Sequence, residues 1–280
     1  MIKLNGKEIN PTIFPDGTSQ VWQLDHDFNE NIINTILWDF ERESELIHVI
    51  QLHDLLTFGF NNHHVELIMP YLPYARQDKN VSNGETFALY SFTRILRSCK
   101  FKKIVSYDAH SNSAFNCLDN FVNIAPNLSF TKDYGLVCFP DKGAMDRYSD
   151  LVDKPAFYAE KVRDQKTGWI THYDIVSELH PIDYDIIVVG DLCDGGMTFN
   201  ILADKLHEIG VGKLDLYVTH GLFSKGIGEL LKNYNRIITT DTRFSNINLD
   251  HEAVQSNQWR LIRDSVKDGR LIIKDHFGTV

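Results

Sequence analysis

The sequence predicts an α/β protein built from two mostly parallel sheets flanked by helices. Three observations carry this. Apolar runs of strand length alternate with segments whose apolar residues recur at helical spacing. The chain, at 280 residues, is long enough for two such units, each with its own core. Acids, glycines and threonines gather where the apolar runs end, which is where open α/β sheets place their ligands.

The elements follow in order. Helical spacing is read over 29–43 (NENIINTILWDFERE), a strand over 65–69 (VELIM) and a helix over 84–99 (GETFALYSFTRILRSC). Strands follow at 103–107 (KIVSY), 135–139 (GLVCF) and 185–189 (DIIVV). The last leads into a helix over 198–210, with Gly210 as its stop. Strands at 214–218 and 236–240 enclose a helix at 224–234. Turn residues in APNLSFTKDY, 125–134, mark a break and give domains 1–130 and 131–280. About the last 10–15 residues are left free to pack back on the first domain.

Composition narrows the function. Hydrophobic content of 43% and charged content of 24% are ordinary for a globular protein. A net charge of −10, from 28 basic and 38 acidic residues, argues against nucleic acid or an anionic membrane as partner. The start, MIKLNGKEIN, has no basic segment followed by an apolar one, so no signal peptide is expected. VELIMPYLPYA is too short and too broken by Pro70 and Pro73 to cross a bilayer. Four scattered cysteines (Cys99, Cys117, Cys138, Cys193) lack metal spacing and suit reduced thiols in a cytoplasmic protein. Trp22, Trp38, Trp169 and Trp259 are read as packing residues, and His63-His64 as a solvated turn before a strand.

The stretch DYDIIVVGDLCDGGMTFNILADKL, 183–206, has the form strand, loop, helix. Gly195 and Gly196 let several N–H groups converge on an anion. Thr198 adds a hydroxyl at the helix start, where the dipole favours negative charge. With Met197 between them, these residues form a monophosphate cradle. Asp191 and Asp194 sit too close to serve the same phosphate; they suit sugar hydroxyls or the placing of a metal. Upstream, MPYLPYARQDK sets Arg76, Gln77 and Asp78 after a strand, and arginine is suited to bidentate contact with phosphate oxygens.

VVGDLCDGGMT resembles the 5-phosphoribosyl-diphosphate loop of the phosphoribosyltransferase-like fold, and PYLPYARQD resembles the ATP-binding segment of the ribose-phosphate diphosphokinases. Further motifs fall in that family's order. Asp108 and His110 stand in VSYDAHS, Asp141 in CFPDKGA, and Lys161 and Arg163 in AEKVRDQ. THGLFS (219–224) and TTDT (239–242) match later strand ends near the ribose phosphate, and Phe14 and Asp16 lie in FPDGTSQV. The matches run from residue 14 to about 242. The chain departs from the family at Gly190 and Thr18, where acids are usual, and over 80–92.

The resemblance implies two phosphoribosyltransferase-like domains, the first binding ATP and the second ribose 5-phosphate. It implies Mg2+-dependent transfer of a diphosphoryl group from ATP to the C1 hydroxyl, giving 5-phosphoribosyl 1-diphosphate and AMP. Phe14, Asp16, Arg76, Gln77, Asp78 and His110 would bind ATP. Asp191, Asp194, Gly195, Gly196, Met197 and Thr198 would bind the sugar phosphate. His110 and Asp141 would position magnesium, and Lys161 and Arg163, on a mobile catalytic loop, would be catalytic. A homo-oligomer, dimer-based or hexameric, is implied too. Two rivals are a phosphoribosyltransferase that consumes the diphosphate sugar, and a non-catalytic regulatory or assembly homologue.

Overall fold

The computed structural model describes residues 1–280 except 23–31, 63, 81–83, 111–112, 164–169, 244–264 and 275–280, with the backbone alone described at 162–163 and 170–172. The chain forms two compact units, Met1–Ala125 and Pro126–Val280.

In the first unit, strands β1 (Ile2–Leu4), β2 (Lys7–Glu8), β5 (Asn34–Trp38), β6 (Val65–Met69), β7 (Lys103–Tyr107) and β8 (Phe121–Ile124) form one sheet in the order β2-β1-β5-β6-β7-β8. Strands β5 to β8 run parallel, and β1 pairs antiparallel to β5. A separate two-stranded hairpin joins β3 (Thr12–Ile13) to β4 (Ser19–Gln20). Helices α1 (Glu45–Asp54) and α2 (Ala88–Cys99) bury Val49, Leu52, Leu89, Phe92 and Leu96 in a core with Ile36, Trp38, Leu67 and Met69. A short α3 (Ser113–Cys117) precedes β8.

Residues 34–38 correct the helix read over 29–43. The apolar residues there fit either period, but Asn34, Ile36 and Trp38 alternate inward as a strand. The helix begins instead at Glu45, whose carboxylate accepts from Trp38 Nε1 at 2.9 Å.

In the second unit, β9 (Leu136–Phe139), β10 (Ala156–Arg163), β11 (Ile170–Val176), β12 (Ile186–Cys193), β13 (Leu214–Gly221), β14 (Arg236–Thr240) and β15 (Leu271–Lys274) form a sheet in the order β11-β10-β9-β12-β13-β14-β15. All neighbours are parallel except the β10–β11 hairpin. Helices α4 (Lys142–Tyr148), α5 (Met197–Ile209) and α6 (Leu230–Asn233) complete it. Both faces are covered. Ile186 and Val188 enter a core with Phe199, Leu202 and Leu206 of α5, while Ile187 and Val189 enter another with Tyr148 of α4. That is why the run reads as continuously apolar. Gly210 ends α5 in the left-handed region (φ +87°), as expected.

Four further corrections follow. The boundary falls before Pro126 because Leu128 is buried in the second unit's core and Phe130 packs on Tyr217. The described part of the tail, Leu271–Lys274, pairs with β14 in the second sheet. The helix read over 224–234 shortens to Leu230–Asn233, because the chain first turns through a left-handed Gly226. Trp38 is fully buried, but Trp22 is exposed, packing edge-on to Phe14 and donating to Thr12 Oγ1; Trp169 and Trp259 lie outside the described residues.

Among the described residues, no helix is long and apolar enough to cross a membrane.

Candidate functional site

In the first unit, the residues singled out lie at the carboxyl ends of β6 and β7. The exits of these strands are tied by Tyr107 N donating to Pro70 O at 3.3 Å. Tyr74 takes a left-handed backbone (φ +63°) and its hydroxyl is held by Glu43. Burial, reinforced by Glu43, pushes that hydroxyl's pKa up to about 12. The turn it makes, closed by Gln77 N on Tyr74 O, sets Arg76 and Gln77 outward to solvent, with Asp78 half-buried behind them. Ser113 Oγ reaches Asp78 Oδ2 at 3.4 Å, which brings the 76–78 segment to the loop after β7 that carries His110. Asp108 is buried and left-handed (φ +44°), and Ala109 N donates to Asn123 Oδ1, so this strand exit is held from both sides.

The hairpin bearing Phe14 and Asp16 is docked on α1. Gln51 donates to Ser19 O, accepts from Val21 N, and His48 Nε2 meets Ser19 Oγ at 2.8 Å. At its tip, Thr18 donates from both N and Oγ1 to Asp16 Oδ1, at 3.0 and 2.7 Å. These bonds hold the Asp16 carboxyl below its usual range. Thr18, standing where the family has an acid, therefore engages Asp16 within the turn.

In the second unit, three strand ends bring acids and cations together. Asp141, just after β9, caps α4 by accepting from Ala144 N at 2.9 Å, and its other oxygen accepts from Lys161 Nζ at 2.8 Å. Burial opposes ionisation of Asp141, and nearby Asp191 opposes it further. The bond to Lys161, that lysine's charge and the cap outweigh both, so the pKa is lowered. Asp191, on β12, pairs with Arg147 of α4 at 3.5 Å, and the Arg147 guanidinium also lies over the Tyr148 ring at 5.1 Å. Asp141–Lys161 and Asp191–Arg147 thus form two ion pairs brought together at their acids.

Lys161 and Arg163 correct the expectation of a loop. Both lie on β10, where the strand pairs with β11 and its register shifts at Val162/Arg163. The alternation of AFYAEKVR, with Phe157 and Ala159 buried, explains the strand. Nothing in the charges of 160–163 announced it.

The residues expected to cradle a phosphate lie where β12 meets α5. Asp191 is still within the strand, and the loop proper is Asp194–Gly196. Gly196 is the N-cap of α5 with φ +79°, which favours glycine, and a Cβ there would stand close to Leu230, at 3.3 Å. Thr198 is the second residue of the helix; Met197 is exposed. Asp194 Oδ1 accepts from Ser224 Oγ at 2.5 Å, and Ser224 N donates to Asp194 O. Leu222 N and Phe223 N both donate to Cys193 O, so the turn after β13 is clamped to the cradle. Behind it, Thr219, Thr240 and Thr242 are buried and bonded to one another, and His220 Nδ1 meets Thr242 Oγ1 at 2.8 Å.

Gly190 has a steric explanation. A Cβ there would stand 3.0 Å from Phe199 Cζ, 3.2 Å from Cε1 and 3.7 Å from Pro140 Cγ. The ring of Phe199 fills the room that a side chain at 190 would need.

Arg147, Phe199 and Lys225 are the site residues that sequence reasoning missed, whereas Ser224 ends the THGLFS stretch already singled out. Each of the three acts through space on a residue far away in the chain, and no local motif marks it.

Among the described residues, no group of three or more His, Cys, Asp or Glu side chains converges on a point. Magnesium does not require one, since it is commonly held by one or two carboxylates, waters and substrate phosphates. Asp141 and Asp191, close enough to repel each other, fit that kind of oxygen-donor site.

No family model matches the chain. It is 27% identical over 263 residues to a ribose-phosphate pyrophosphokinase of Pyrococcus abyssi, covering 86% of this chain and 87% of that one. It is 25% identical over 247 residues to the one from Sulfurisphaera tokodaii, with 84% of each covered. In three dimensions it is similar to the crystal structure of a phosphoribosylpyrophosphate synthetase from Mycobacterium smegmatis, with TM-score 0.71 and 20% identity over 94% of this chain and 90% of that one. The resemblance read from the motifs and the predicted two-sheet α/β fold are both borne out over most of the chain.

Proposed function

We propose, on the premise that this chain is a relative of the ribose-phosphate pyrophosphokinases, that it transfers the diphosphoryl group of ATP to ribose 5-phosphate. The C1 hydroxyl oxygen bonds to the β-phosphorus of ATP. The bond from that phosphorus to the oxygen bridging the α-phosphorus breaks, and AMP leaves with that oxygen. The hydroxyl proton goes to solvent. The products are 5-phosphoribosyl 1-diphosphate and AMP.

Such chemistry needs alignment and charge stabilisation more than covalent help. The cradle of Gly195, Gly196, Met197 and Thr198 holds the 5-phosphate on the N-terminus of α5. Asp191 and Asp194 accept from the ribose hydroxyls, each already oriented, one by Arg147 and the other by Ser224. Lys161 and Arg163 bring positive charge to the phosphates and stabilise the leaving AMP. Arg76, Gln77, Asp78, Phe14 and Asp16 bind the nucleotide in the first domain. Asp141, with Asp191 beside it, would hold Mg2+, which when bound neutralises charge on the phosphates; His110 belongs to the nucleotide-binding residues of the first domain.

The observation that carries this reading is the charge group at the ends of β9, β10 and β12. Asp141, Lys161, Arg147 and Asp191 stand beside a helix-end phosphate cradle. A binding scaffold or a phosphoribosyltransferase has no use for all of these together. Four buried free cysteines suit residence in the reducing cytoplasm, and a homo-oligomer belongs to the same proposal.

The test is direct. Purified protein with MgATP and ribose 5-phosphate should release AMP and a phosphoribosyl diphosphate in equal amounts. No AMP across a range of magnesium and phosphate concentrations would refute the enzyme and leave the regulatory homologue. AMP formation without a diphosphorylated sugar would refute the transfer.

A further inference from the structure

We infer that Lys225 is a specificity residue for the phosphorylated end of the sugar, donating its ammonium to the phosphate held by the Asp194–Thr198 cradle; this rests on the reading of that site given above. The turn after β13 is built to deliver this side chain. Phe223 takes a left-handed backbone (φ +45°) and folds its ring over Gly221, where a Cβ would come within 2.3 Å of Phe223 Cε2. The chain therefore doubles back sharply, and Gly226 N closes the turn on Phe223 O at 2.7 Å. Three backbone bonds, from Leu222, Phe223 and Ser224, tie it to Cys193 and Asp194.

Lys225, next in line, lays its stem across the cradle. Its Cδ, Cε and Cγ lie 3.4, 3.5 and 3.7 Å from the position a Cβ would take on Gly195. The ammonium is one bond beyond Cε, so it is carried at the glycine pair that leads into α5. The side chain is exposed and makes no hydrogen bond or ion pair with any described residue.

The physical case has two parts. A lysine whose methylenes rest on a glycine surface has already given up part of its rotamer freedom, so less is lost when it meets a ligand. A lysine ammonium acts on phosphate as a point charge. The neighbouring acid makes no ion pair with it, and Asp194 Oδ1 accepts instead from Ser224 Oγ. In a chain of net charge −10, such a local cation makes the cradle selective for a sugar that carries its phosphate.

The experiment compares wild type with Lys225→Met, which keeps the stem, and Lys225→Glu, which reverses the charge. It measures ribose 5-phosphate binding by calorimetry and AMP release against each substrate. The expected result is a rise of about 10- to 100-fold in Kd and KM for ribose 5-phosphate with Met and a larger one with Glu. KM for ATP and the melting temperature should stay within about twofold and about 2 °C, and Lys225→Arg should restore affinity. Active wild type with the same ribose 5-phosphate KM in the Met and Glu variants would overturn the role of Lys225 and leave the proposed function standing. Equal weakening for both substrates would overturn it in favour of a packing role. Wild type that neither binds ribose 5-phosphate nor forms AMP would overturn both readings.

Discussion

Replacing Gly190 is the sharpest probe of the cradle's architecture. At that position a Cβ would stand 3.0 and 3.2 Å from two atoms of the Phe199 ring, and 3.7 Å from Pro140 Cγ. Gly190 lies within β12 and does not have a positive φ, so alanine faces no backbone penalty and the contact alone sets the cost. Phe199 cannot withdraw its backbone easily, because its carbonyl accepts from the buried Tyr234 hydroxyl at 2.7 Å. The ring must rotate off its preferred setting in a filled core. Overpacking of this kind costs about 1–3 kcal/mol, or roughly 2–12 °C in a unit of this size at about 2–4 °C per kcal/mol. Gly190→Asp should cost more, since it adds a carboxylate against an aromatic face.

The assay is urea unfolding of wild type, Gly190→Ala, Phe199→Leu and the double variant, treated as a cycle. Phe199→Leu alone should destabilise by about 1–2 kcal/mol, and Gly190→Ala should then cost little in its background. Coupling near zero, with Gly190→Ala equally costly in both backgrounds, would refute the argument that the ring excludes a side chain here.

Three other outcomes are expected. Lys161→Met should lower turnover by about 10²–10³ while nucleotide binding, followed by calorimetry, is largely retained; equal loss of both would give Lys161 a ground-state role. The native protein should react slowly with a thiol reagent near pH 8, because all four cysteines are buried and burial, with Asp194 nearby, pushes the Cys193 thiol up to about 12; rapid native labelling of Cys193 by mass spectrometry would contradict this. Asp141 has a lowered folded pKa, so its ionised form stabilises the fold above the unfolded value of about 3.9 and that contribution is lost as pH falls through the folded value. The stability gap between wild type and Asp141→Asn should therefore be flat from about pH 5 to 8 and close below about pH 4. A gap unchanged in acid would assign Asp141 a purely geometric part.

How much of this was readable in advance depended on burial. Strands β9, β12, β13 and β14 were legible because both faces of their sheet are covered, so their apolar runs are unbroken. Helix α5 was legible from its glycine boundaries. Strand β5 was not, because a mixed run of Ile32, Ile33, Ile36, Leu37 and Trp38 satisfies the helical and the strand period alike. The β10–β11 hairpin was hidden by its charges, and the resemblance placed Lys161 and Arg163 on a mobile catalytic loop. In the candidate site, the strand-end positions of Asp141, Asp191 and the 194–198 stretch were legible from local motifs. The pairs that orient them were not. Asp141–Lys161 spans 20 residues and Asp194–Ser224 spans 30, and such partners are set by strand order rather than by spacing.

Strand β12 is locked by hydrogen bonds to a neighbour on each side and by packing on each face, so its end leaves hardly any latitude for remodelling. The turn after β13 borders the same loop yet presents exposed side chains at Ser224 and Lys225. A lineage drifting toward a new ligand would be channelled to that border, one substitution at a time, while the central strand stayed frozen.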